Sequence, residues 1–337
     1  MADSAFPCLV YLDHNVLDSM LKGRLRHIKN CFDGDRVVAV YSNVSLQEIA
    51  HSAGHETAFL DLLQAFGARY LVSLVDDEFV PTGKAEIRVV TPHEAYSSHL
   101  RTLDESPKGD FGLSAVLRKF YGGHGDVSYR ELLARGRQEI SDMLRQATEK
   151  SESAAEIHPA KREHLAVLMT DLQSQVEVAY ATATEFIEAH SQQMSARAFE
   201  DGTGLRPLDL NNITGPDVVA QVWQRFKTAA PGCEVDLETL FHLKKTPWSS
   251  HADREPTVME KVNAIYHALN FLGYFRDTDI EEERGFHRSF RDMTHAGMAS
   301  FCHAFVTCDK RMAMKARAAY EYLNVGTRVE HLPPTEE

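Results

Sequence analysis

Four acidic side chains stand where apolar runs end or where predicted helices pass, and their carboxylates could bind a metal ion. Asp13 ends the apolar run CLVYLD, and Asp309 closely follows the run AFVT. Glu48 and Asp292 lie inside stretches with helical spacing. Carboxylates that crowd together raise each other's pKa, so a group of them needs compensating positive charge. A hard divalent cation such as Mg²⁺ supplies that charge and keeps water positions that a phosphate oxygen can take.

Strands and helices alternate at both ends of the chain, and these elements would bring the acids together. Such alternation is typical of an α/β fold with a central, mostly parallel sheet flanked by helices. The carboxyl ends of parallel strands form the ligand crevice, so Asp13 and Asp309 would lie side by side if their strands are neighbours. The predicted strands are 8–13, 36–42, 69–75, 85–90, 304–307 and 327–332, and the predicted helices that carry site residues include 43–54, 284–303 and 309–323.

The middle of the chain has a different pattern. Long, charged and amphipathic stretches predict helices there, and the sequence shows no internal repeat. We therefore predict a discontinuous α/β domain formed by residues 1–92 and 271–337. A large, mostly helical insertion would occupy residues 93–270. The insertion could shape a substrate channel, form a homodimer or bind a regulatory protein.

The helix around Asp292 can be drawn as a wheel at about 100° per residue. Asp292 falls at the boundary of the predicted apolar face rather than inside it, with His295 nearby. A residue of a site between a helix and a sheet would lie at such a boundary. The predicted apolar face consists of Phe286, Phe290, Met293, Gly297 and Phe301.

The charge distribution favours a ligand that contains phosphate. The window 284–317 holds seven basic residues and only two acids, Asp292 and Asp309, in a chain whose net charge is −13. A basic rim around an acidic centre suits a phosphodiester, because the rim binds backbone phosphates while the centre binds metal. The window could instead be a solvated face, or pair with the acidic run 277–283. The predicted rim consists of Lys22, Arg24, Arg26, Arg288, Arg291, Lys310, Arg311 and Lys315.

The composition argues against several classes of protein. The chain of 337 residues is 43% hydrophobic and 25% charged, which is ordinary for a globular protein. It has no run of about 18 apolar residues, so we expect no membrane segment. The first residues lack the basic region and the long apolar core of a signal peptide. Five scattered cysteines without a CxxC pair favour reduced thiols and a cytoplasmic location.

Taken in order, the motifs resemble those of the PIN-domain family of metal-dependent nucleases. VYLDHNVLDSM resembles the first motif of the family, with its hydrophobic pair, aspartate and asparagine. VVAVYSNVSLQEI resembles the second strand and its helix, and RDMTHAGMA resembles the third acidic helix. FVTCDK resembles the Thr-x-Asp motif, and NVGTRVEHLPPTEE resembles the closing strand and tail. The resemblance covers residues 6–55 and 284–335, and the helical middle has no counterpart in the minimal domain.

This resemblance implies an α/β domain that hydrolyses RNA, or in some members DNA, with Mg²⁺ or Mn²⁺ as cofactor. The function that follows is an endoribonuclease, and such domains often serve as toxins or defence effectors. His295 departs from the family pattern, because a small or apolar residue is commoner at its position. The catalytic residues that the resemblance implies are the metal ligands Asp13, Glu48, Asp292 and Asp309 and the supporting polar groups Asn15 and Thr307.

Other interpretations of the same residues stay open. Asp13 and Asp309 could be plain N-caps of the helices that follow them. The domain could be a catalytically inactive PIN-like module that binds RNA or a protein. A haloacid-dehalogenase-type phosphatase with Asp13 as nucleophile is disfavoured, because Asn15 stands where that class has a second aspartate. His51 and His55 have the i, i+4 spacing of a zinc pair, but no third ligand stands out.

Overall fold

The structure is a computed structural model that describes residues 7–25, 28, 30–32, 34, 36–77, 80–105, 113–153, 159–190, 195–245 and 254–333. Within these ranges the chain forms one six-stranded sheet and 14 α-helices, besides a short 3₁₀ helix. The predicted α/β class, with a mostly parallel sheet flanked by helices, is confirmed.

The sheet combines strands from both ends of the chain. Its strands are β1 (Cys8–Leu12), β2 (Val37–Tyr41), β3 (Arg69–Val75), β4 (Pro81–Arg88), β5 (Ala304–Thr307) and β6 (Arg328–His331). Their order is β4-β3-β2-β1-β5-β6, and only the β3–β4 pair is antiparallel. The predicted boundaries of β3 and β5 match the structure, whereas β4 begins at Pro81 rather than at residue 85.

The helices begin and end at local signals in the sequence. The Ser42 hydroxyl accepts a hydrogen bond from the Val44 amide, and the Ser45 hydroxyl accepts one from the Ser42 amide. Among the described residues, every helix falls short of the length or apolar character that crossing a bilayer requires. The helices are α1 (His14–Leu21), α2 (Asn43–Ala50), α3 (Glu56–Ala65), α4 (Pro92–Glu105), α5 (Leu113–Phe120), α6 (Tyr129–Ser153), α7 (Pro159–His190), α8 (Ala196–Thr203), α9 (Pro207–Asn211), α10 (Val218–Ala229), α11 (Leu237–Leu240), α12 (Val258–Leu272), α13 (Glu283–Ala299) and α14 (Lys310–Tyr322).

Strand β1 lies between β2 and β5, which is the point where the strand order reverses direction. Val10 pairs with Ala304 in this parallel register, and Leu12 pairs with Val306. The Asp13 amide then donates to the Val306 carbonyl at 3.0 Å, so the pairing extends past the end of β1. The two strands therefore end together, and the carboxyl ends of strands at such a reversal form the crevice where α/β proteins bind ligands.

The two faces of the sheet have different roles, because successive residues of a strand point to opposite sides. Val10, Leu12 and Val306 pack into the main apolar core with side chains from α1, α2 and α3. Tyr11 and Phe305 point to the other side, where their rings make an edge contact with centroids 5.9 Å apart. Asp13 and Thr307 share the alternation of Tyr11 and Phe305, which places their side chains on this second face.

The chain divides into two compact units. The prediction assigned residues 93–270 to one insertion, whereas α10 and α12 belong to the unit that contains the sheet. The long helices α6 and α7 belong to the second unit. The sheet-bearing unit comprises Met1–Asp104, Leu205–Asp277 and Arg288–Glu337, and the second unit comprises Glu105–Gly204 and Thr278–His287.

The second unit is helical. Its helices α6 and α7 pack along each other, and Tyr129, Leu133 and Ile187 form a small buried cluster. An ion pair on its surface joins Arg130 of α6 to Glu188 of α7 at 2.6 Å. All the predicted site residues lie in the sheet-bearing unit.

A buried ion pair connects α14 to the segment that follows α12. Lys315 is fully buried, and its Nζ donates to Asp277 Oδ1 at 2.6 Å and to Asn270 Oδ1 at 3.1 Å. The ammonium also lies 4.3 Å from the centroid of the Tyr266 ring. Burial lowers the pKa of Lys315, and the Asp277 carboxylate opposes that effect. The prediction that Lys315 belongs to the basic rim is wrong, because a buried ammonium cannot contact a phosphate backbone at the surface.

Removing the Lys315 ammonium should destabilise the protein strongly. Lys315→Met leaves the Asp277 carboxylate buried without its cation, and such losses cost about 3–5 kcal/mol. Urea unfolding measures the change in the free energy of unfolding. Arg311→Met, an exposed position on the same helix, is the control and should change that free energy by less than about 0.5 kcal/mol. Equal stability of Lys315→Met and wild type would show that the ion pair contributes nothing.

Candidate metal centre

Asp13 stands at the junction between β1 and α1, at the carboxyl end of a central strand. Its backbone is that of an N-cap residue (φ −67°, ψ 151°), but its side chain does not cap α1. The residue is 1% exposed, and Oδ2 accepts hydrogen bonds from Thr307 Oγ1 at 2.8 Å and from Asn15 Nδ2 at 3.2 Å. Asp13 is therefore not a plain helix cap, and its carboxylate is directed toward the end of β5.

Glu48 comes from α2, the helix that follows the neighbouring strand β2. Its Oε2 accepts a hydrogen bond from His295 Nε2 at 2.8 Å, and its Oε1 accepts one from Arg291 Nε at 3.3 Å. Arg291 and His295 are four residues apart in α13, so they lie on the same face of that helix. The Glu48 carboxylate is thus held between two basic side chains.

Asp13, Glu48 and His295 together form a group that could hold a metal ion. One ligand atom from each lies within 4.8 Å of the ligand atoms of the other two, and in the part of the chain that the structure describes this group stands alone. Carboxylate oxygens and imidazole nitrogens are common ligands of divalent metal ions in proteins. The group combines two of the four predicted ligands with the residue that departs from the family pattern.

His295 is held on its other side by a buried hydroxyl chain. Its Nδ1 lies 2.8 Å from the Tyr11 hydroxyl, which lies 2.6 Å from Ser42 Oγ and 3.4 Å from Ser45 Oγ. Tyr11 and His295 are both fully buried. Two hydrogen bonds on opposite ring nitrogens therefore fix the orientation of the imidazole relative to Glu48.

The charges of Glu48 and His295 stabilise each other. Burial raises the pKa of Glu48, but the charge and hydrogen bond of His295 and the charges of His14 and Arg291 outweigh burial and lower that pKa to about 2. Burial lowers the pKa of His295, and the Glu48 carboxylate outweighs it, so the pKa of His295 is raised. Without a cation, Glu48 is therefore ionised and paired inside the protein.

Asp13 and Asp292, unlike Glu48, have raised pKa values. Burial raises the pKa of Asp13 to about 6, although the nearby His295 charge lowers it in part. Burial also raises the pKa of Asp292 well above its ordinary value, and the negative charges of Asp277, Asp13 and other acids add to that rise. Among the described residues, the Asp292 carboxylate makes no hydrogen bond or ion pair. Both carboxylates therefore lack the positive charge that their burial requires.

Asp309 caps a helix, as the simplest interpretation predicts. Its Oδ1 accepts a hydrogen bond from the Met312 amide at 2.9 Å at the start of α14. Its own amide donates to Thr307 Oγ1 at 3.0 Å, and the same hydroxyl donates to Asp13. Thr307 thus connects the ends of β1 and β5. Asp309 and Asp292 contribute negative charge to the centre but lie outside the group of mutually close ligand atoms.

Four of the predicted rim residues are exposed. Among them, the Lys22 ammonium forms an exposed ion pair with Asp18 at 2.6 Å. The Lys310 ammonium lies 5.9 Å from the centroid of the Phe275 ring. Such side chains are free to exchange their contacts for phosphate, because exposed ion pairs contribute little. The exposed rim residues are Lys22, Arg24, Lys310 and Arg311.

The other rim predictions have different outcomes. Arg291 is partly buried and bonded to Glu48, so it belongs to the centre. Arg288 is half-buried. Arg26 lies outside the described residues. Lys315 is buried beside Asp277. Part of the positive charge of residues 284–317 therefore compensates acids within the protein. This agrees with the alternative that basic residues of 284–317 pair with the acidic run 277–283.

The buried face of α13 differs from the predicted one. Phe290, predicted on the apolar face, is 55% exposed, whereas Ser289, Asp292, Ala296 and Ala299 are buried. On this buried side, the Ser289 hydroxyl donates to Asp277 Oδ2 at 2.6 Å and the Ala296 carbonyl accepts from the Tyr320 hydroxyl at 2.6 Å. Sequence reasoning missed the contribution of His295 to the ligand group, although its spacing from Arg291 and Asp292 was a usable signal.

The two histidines with the spacing of a zinc pair, which the sequence disfavours as a site, form no ligand group among the described residues. His51 and His55 are exposed, and neither belongs to the ligand group of the described residues. His51 Nδ1 donates to the Gln47 carbonyl at 2.6 Å, within one turn of helix. A zinc site at this pair has no support in the geometry.

The raised pKa of Asp13 predicts how stability without a cation depends on pH. A carboxyl with a higher pKa in the folded state binds more protons when folded, so its contribution to the free energy of unfolding falls as pH rises from 3.8 to about 6. Asp13→Asn removes this charge. The variant should be more stable than wild type at pH 7.5 in EDTA, by up to about 3 kcal/mol, and the difference should vanish near pH 4. Urea unfolding at both pH values measures it.

Asp18→Asn is the matched control, because Asp18 lies on α1 and forms only a surface ion pair. It should change the free energy of unfolding by less than about 1 kcal/mol at either pH. Added Mn²⁺ should stabilise wild type and Asp18→Asn but not Asp13→Asn. If Asp13→Asn were less stable than wild type at pH 7.5 in EDTA, the Asp13 carboxylate would already be compensated within the protein.

Relatives of known function give no further information on this centre. Comparison with family models, with curated proteins and with solved structures finds no match to the chain. The resemblance to the PIN-domain family therefore rests on the motifs in the sequence.

Proposed function

We propose that this chain is a metal-dependent nuclease that hydrolyses phosphodiester bonds, with RNA favoured over DNA. The observation that carries the proposal is a pair of buried carboxylates, Asp13 and Asp292, neither of which makes an ion pair or a hydrogen bond with a basic side chain among the described residues. Asp13 belongs to the ligand group, and Asp292 lies near enough for the charges of Asp13 and Glu48 to raise its pKa. Buried charges in proteins are paired or coordinate metals.

The pairing of charges supports a divalent cation. Glu48 is paired with His295 and Arg291, and Asp277 is paired with Lys315. Asp13 accepts hydrogen bonds only from neutral groups. A cation with two positive charges would match the two remaining buried carboxylates, whereas a monovalent ion would leave one uncompensated.

The residues present fit Mg²⁺ or Mn²⁺. Asp13, Glu48 and His295 would hold the ion, and Asp292 and Asp309 would act through water. When bound, such a cation activates water for attack on phosphorus and stabilises the charge that develops on the phosphate oxygens.

The side chains of this chain supply positioning and proton transfer. Thr307 and Asn15 hold the Asp13 carboxylate in place through hydrogen bonds to Oδ2. Asp292, which makes no hydrogen bond among the described residues, is suited to accept a proton from water during hydrolysis. Arg291, at the partly exposed edge of the centre, is suited to bind a phosphate oxygen.

The exposed basic side chains are suited to hold the rest of the substrate. Lys22 and Arg24 follow α1, whereas Lys310 and Arg311 begin α14. Lys310 and Arg311 therefore lie near the carboxyl end of β5, whereas Lys22 and Arg24 lie about 12 Å of helix away from the carboxyl end of β1. Lysine and arginine side chains bind backbone phosphates without reading sequence, so these four residues would contribute affinity rather than specificity.

Cleavage assays test the proposal. The purified chain is incubated with a mixed RNA pool or with single-stranded DNA, in Mg²⁺, Mn²⁺ or EDTA. We expect metal-dependent cleavage of RNA. Asp13→Asn should lose more than about 100-fold of this activity, because even partners of metal ligands contribute about 10–100-fold. Asp18→Asn, five residues further along on α1, should keep it.

Calorimetry distinguishes loss of chemistry from loss of metal. Titration of EDTA-treated wild type with Mn²⁺ should show binding that Asp13→Asn lacks. Cleavage that persists in EDTA or in Asp13→Asn would point to a contaminating nuclease. If wild type neither cleaves RNA or DNA nor binds a divalent ion, the proposed function is wrong.

A further inference from the structure

We propose that His295 is a nitrogen ligand of the cation, and that the centre for this reason binds Mn²⁺ in preference to Mg²⁺. The inference rests on the proposed function in one respect, the binding of a divalent cation at Asp13 and Glu48. It does not depend on which substrate is cleaved. It deepens that function by naming the donor atom of His295 and the ion that the donor set favours.

The position of the imidazole carries the first step. His295 is fully buried, and its Nε2 lies 2.8 Å from Glu48 Oε2. The same ligand group includes a carboxylate oxygen of Asp13, with all three ligand atoms within 4.8 Å of one another. A cation placed among these atoms would meet one nitrogen and two carboxylates without a rearrangement of the backbone.

The hydroxyl chain behind His295 carries the second step. Coordination through Nε2 requires that the ring proton sits on Nδ1, where the partner is the Tyr11 hydroxyl at 2.8 Å. That hydroxyl can accept the hydrogen bond and donate its own proton to Ser42 Oγ at 2.6 Å. Histidine ligands of metals usually donate the other ring N–H to such a partner, which fixes the tautomer.

The same chain connects the imidazole to the helix that carries Glu48. Ser42 is the N-cap of α2, and its Oγ accepts a hydrogen bond from the Val44 amide. Tyr11 belongs to β1 and lies two residues before Asp13, on the same face of the strand. The three ligands are therefore positioned by one connected set of contacts among β1, α2 and α13.

The donor set decides the preference between ions. Mg²⁺ takes oxygen ligands and retains its waters, so an imidazole adds little to its binding. Imidazole suits transition metals, and affinity for nitrogen-containing sites rises along the first row from Mn²⁺. Mn²⁺ accepts carboxylates as well, so it suits the complete set of Asp13, Glu48 and His295.

Pulsed electron paramagnetic resonance tests the proposal on the chain of 337 residues. The protein is freed of metal with EDTA, exchanged into chelator-free buffer and loaded with less than one equivalent of Mn²⁺. Electron spin echo modulation then reports whether a ¹⁴N nucleus couples to the Mn²⁺ spin. We expect an imidazole nitrogen coupling in wild type. Competition between Mn²⁺ and Mg²⁺, followed by the signal of free Mn²⁺, measures the preference.

Substitutions at His295 and Tyr11 distinguish the proposed metal ligand from the residue that positions it. His295→Asn offers an amide oxygen, and it should abolish the nitrogen coupling and weaken Mn²⁺ binding by at least about tenfold, with a smaller change for Mg²⁺. Tyr11→Phe should weaken Mn²⁺ binding by about 10–100-fold while the coupling stays. His55→Ala is the control, because His55 is an exposed residue at the N-cap of α3. It should change neither the nitrogen coupling nor the affinity for Mn²⁺.

The outcomes distinguish this inference from the proposed function. Bound Mn²⁺ without nitrogen coupling in wild type would overturn the inference and leave the metal-dependent nuclease standing. Coupling that survives in a folded His295→Asn protein would assign the nitrogen to another residue and overturn it as well. Absence of any divalent-ion binding in wild type would overturn both. If His295→Asn does not fold, His14→Asn, which removes the other imidazole near Glu48, should keep the coupling, and loss of the coupling in that variant would overturn the inference.

Discussion

An excess of buried negative charge at the carboxyl ends of β1 and β5 is the constraint on which the centre depends. Asp13 is buried there because β1 is an interior strand and Thr307 holds the carboxylate against β5. Asp292 is buried on α13 with no hydrogen bond among the described residues. Two uncompensated carboxylates raise each other's pKa, and they are stable in ionised form only with added positive charge. A divalent cation supplies it at the place where α/β sheets bind ligands.

The protein compensates its other buried acids with its own bases. Glu48 is held between Arg291 and His295, and Asp277 is held by Lys315. The internal pairs leave Glu48 ionised and oriented before any cation arrives. They also explain why an acidic protein has so many basic residues between 284 and 317, since some of these residues form ion pairs with acids inside the protein. The exposed remainder at the ends of α1 and α14 is available for phosphate.

The sheet and the two strand-end aspartates could be predicted, because β-branched runs, strand–helix alternation and the carboxyl-end rule act locally or by simple topology. The partners of the charged residues could not. Glu48 and His295 are far apart in sequence and meet only through tertiary packing. The sequence around Lys315 does not differ from that around an exposed lysine. Its burial depends on the tertiary contact with Asp277. Phe290 is exposed because α13 turns its polar face toward the centre, a choice that apolar periodicity cannot show.

Anomalous diffraction from crystals soaked in Mn²⁺ tests the central claim most directly. The account predicts a manganese peak coordinated by Asp13 Oδ, Glu48 Oε and His295 Nε2, with water completing the coordination, and no such peak in crystals of Asp13→Asn. Occupancy should fall when EDTA is added. A peak held by other residues, or none at saturating Mn²⁺, would show that the buried carboxylates do not form a metal centre and would contradict the account.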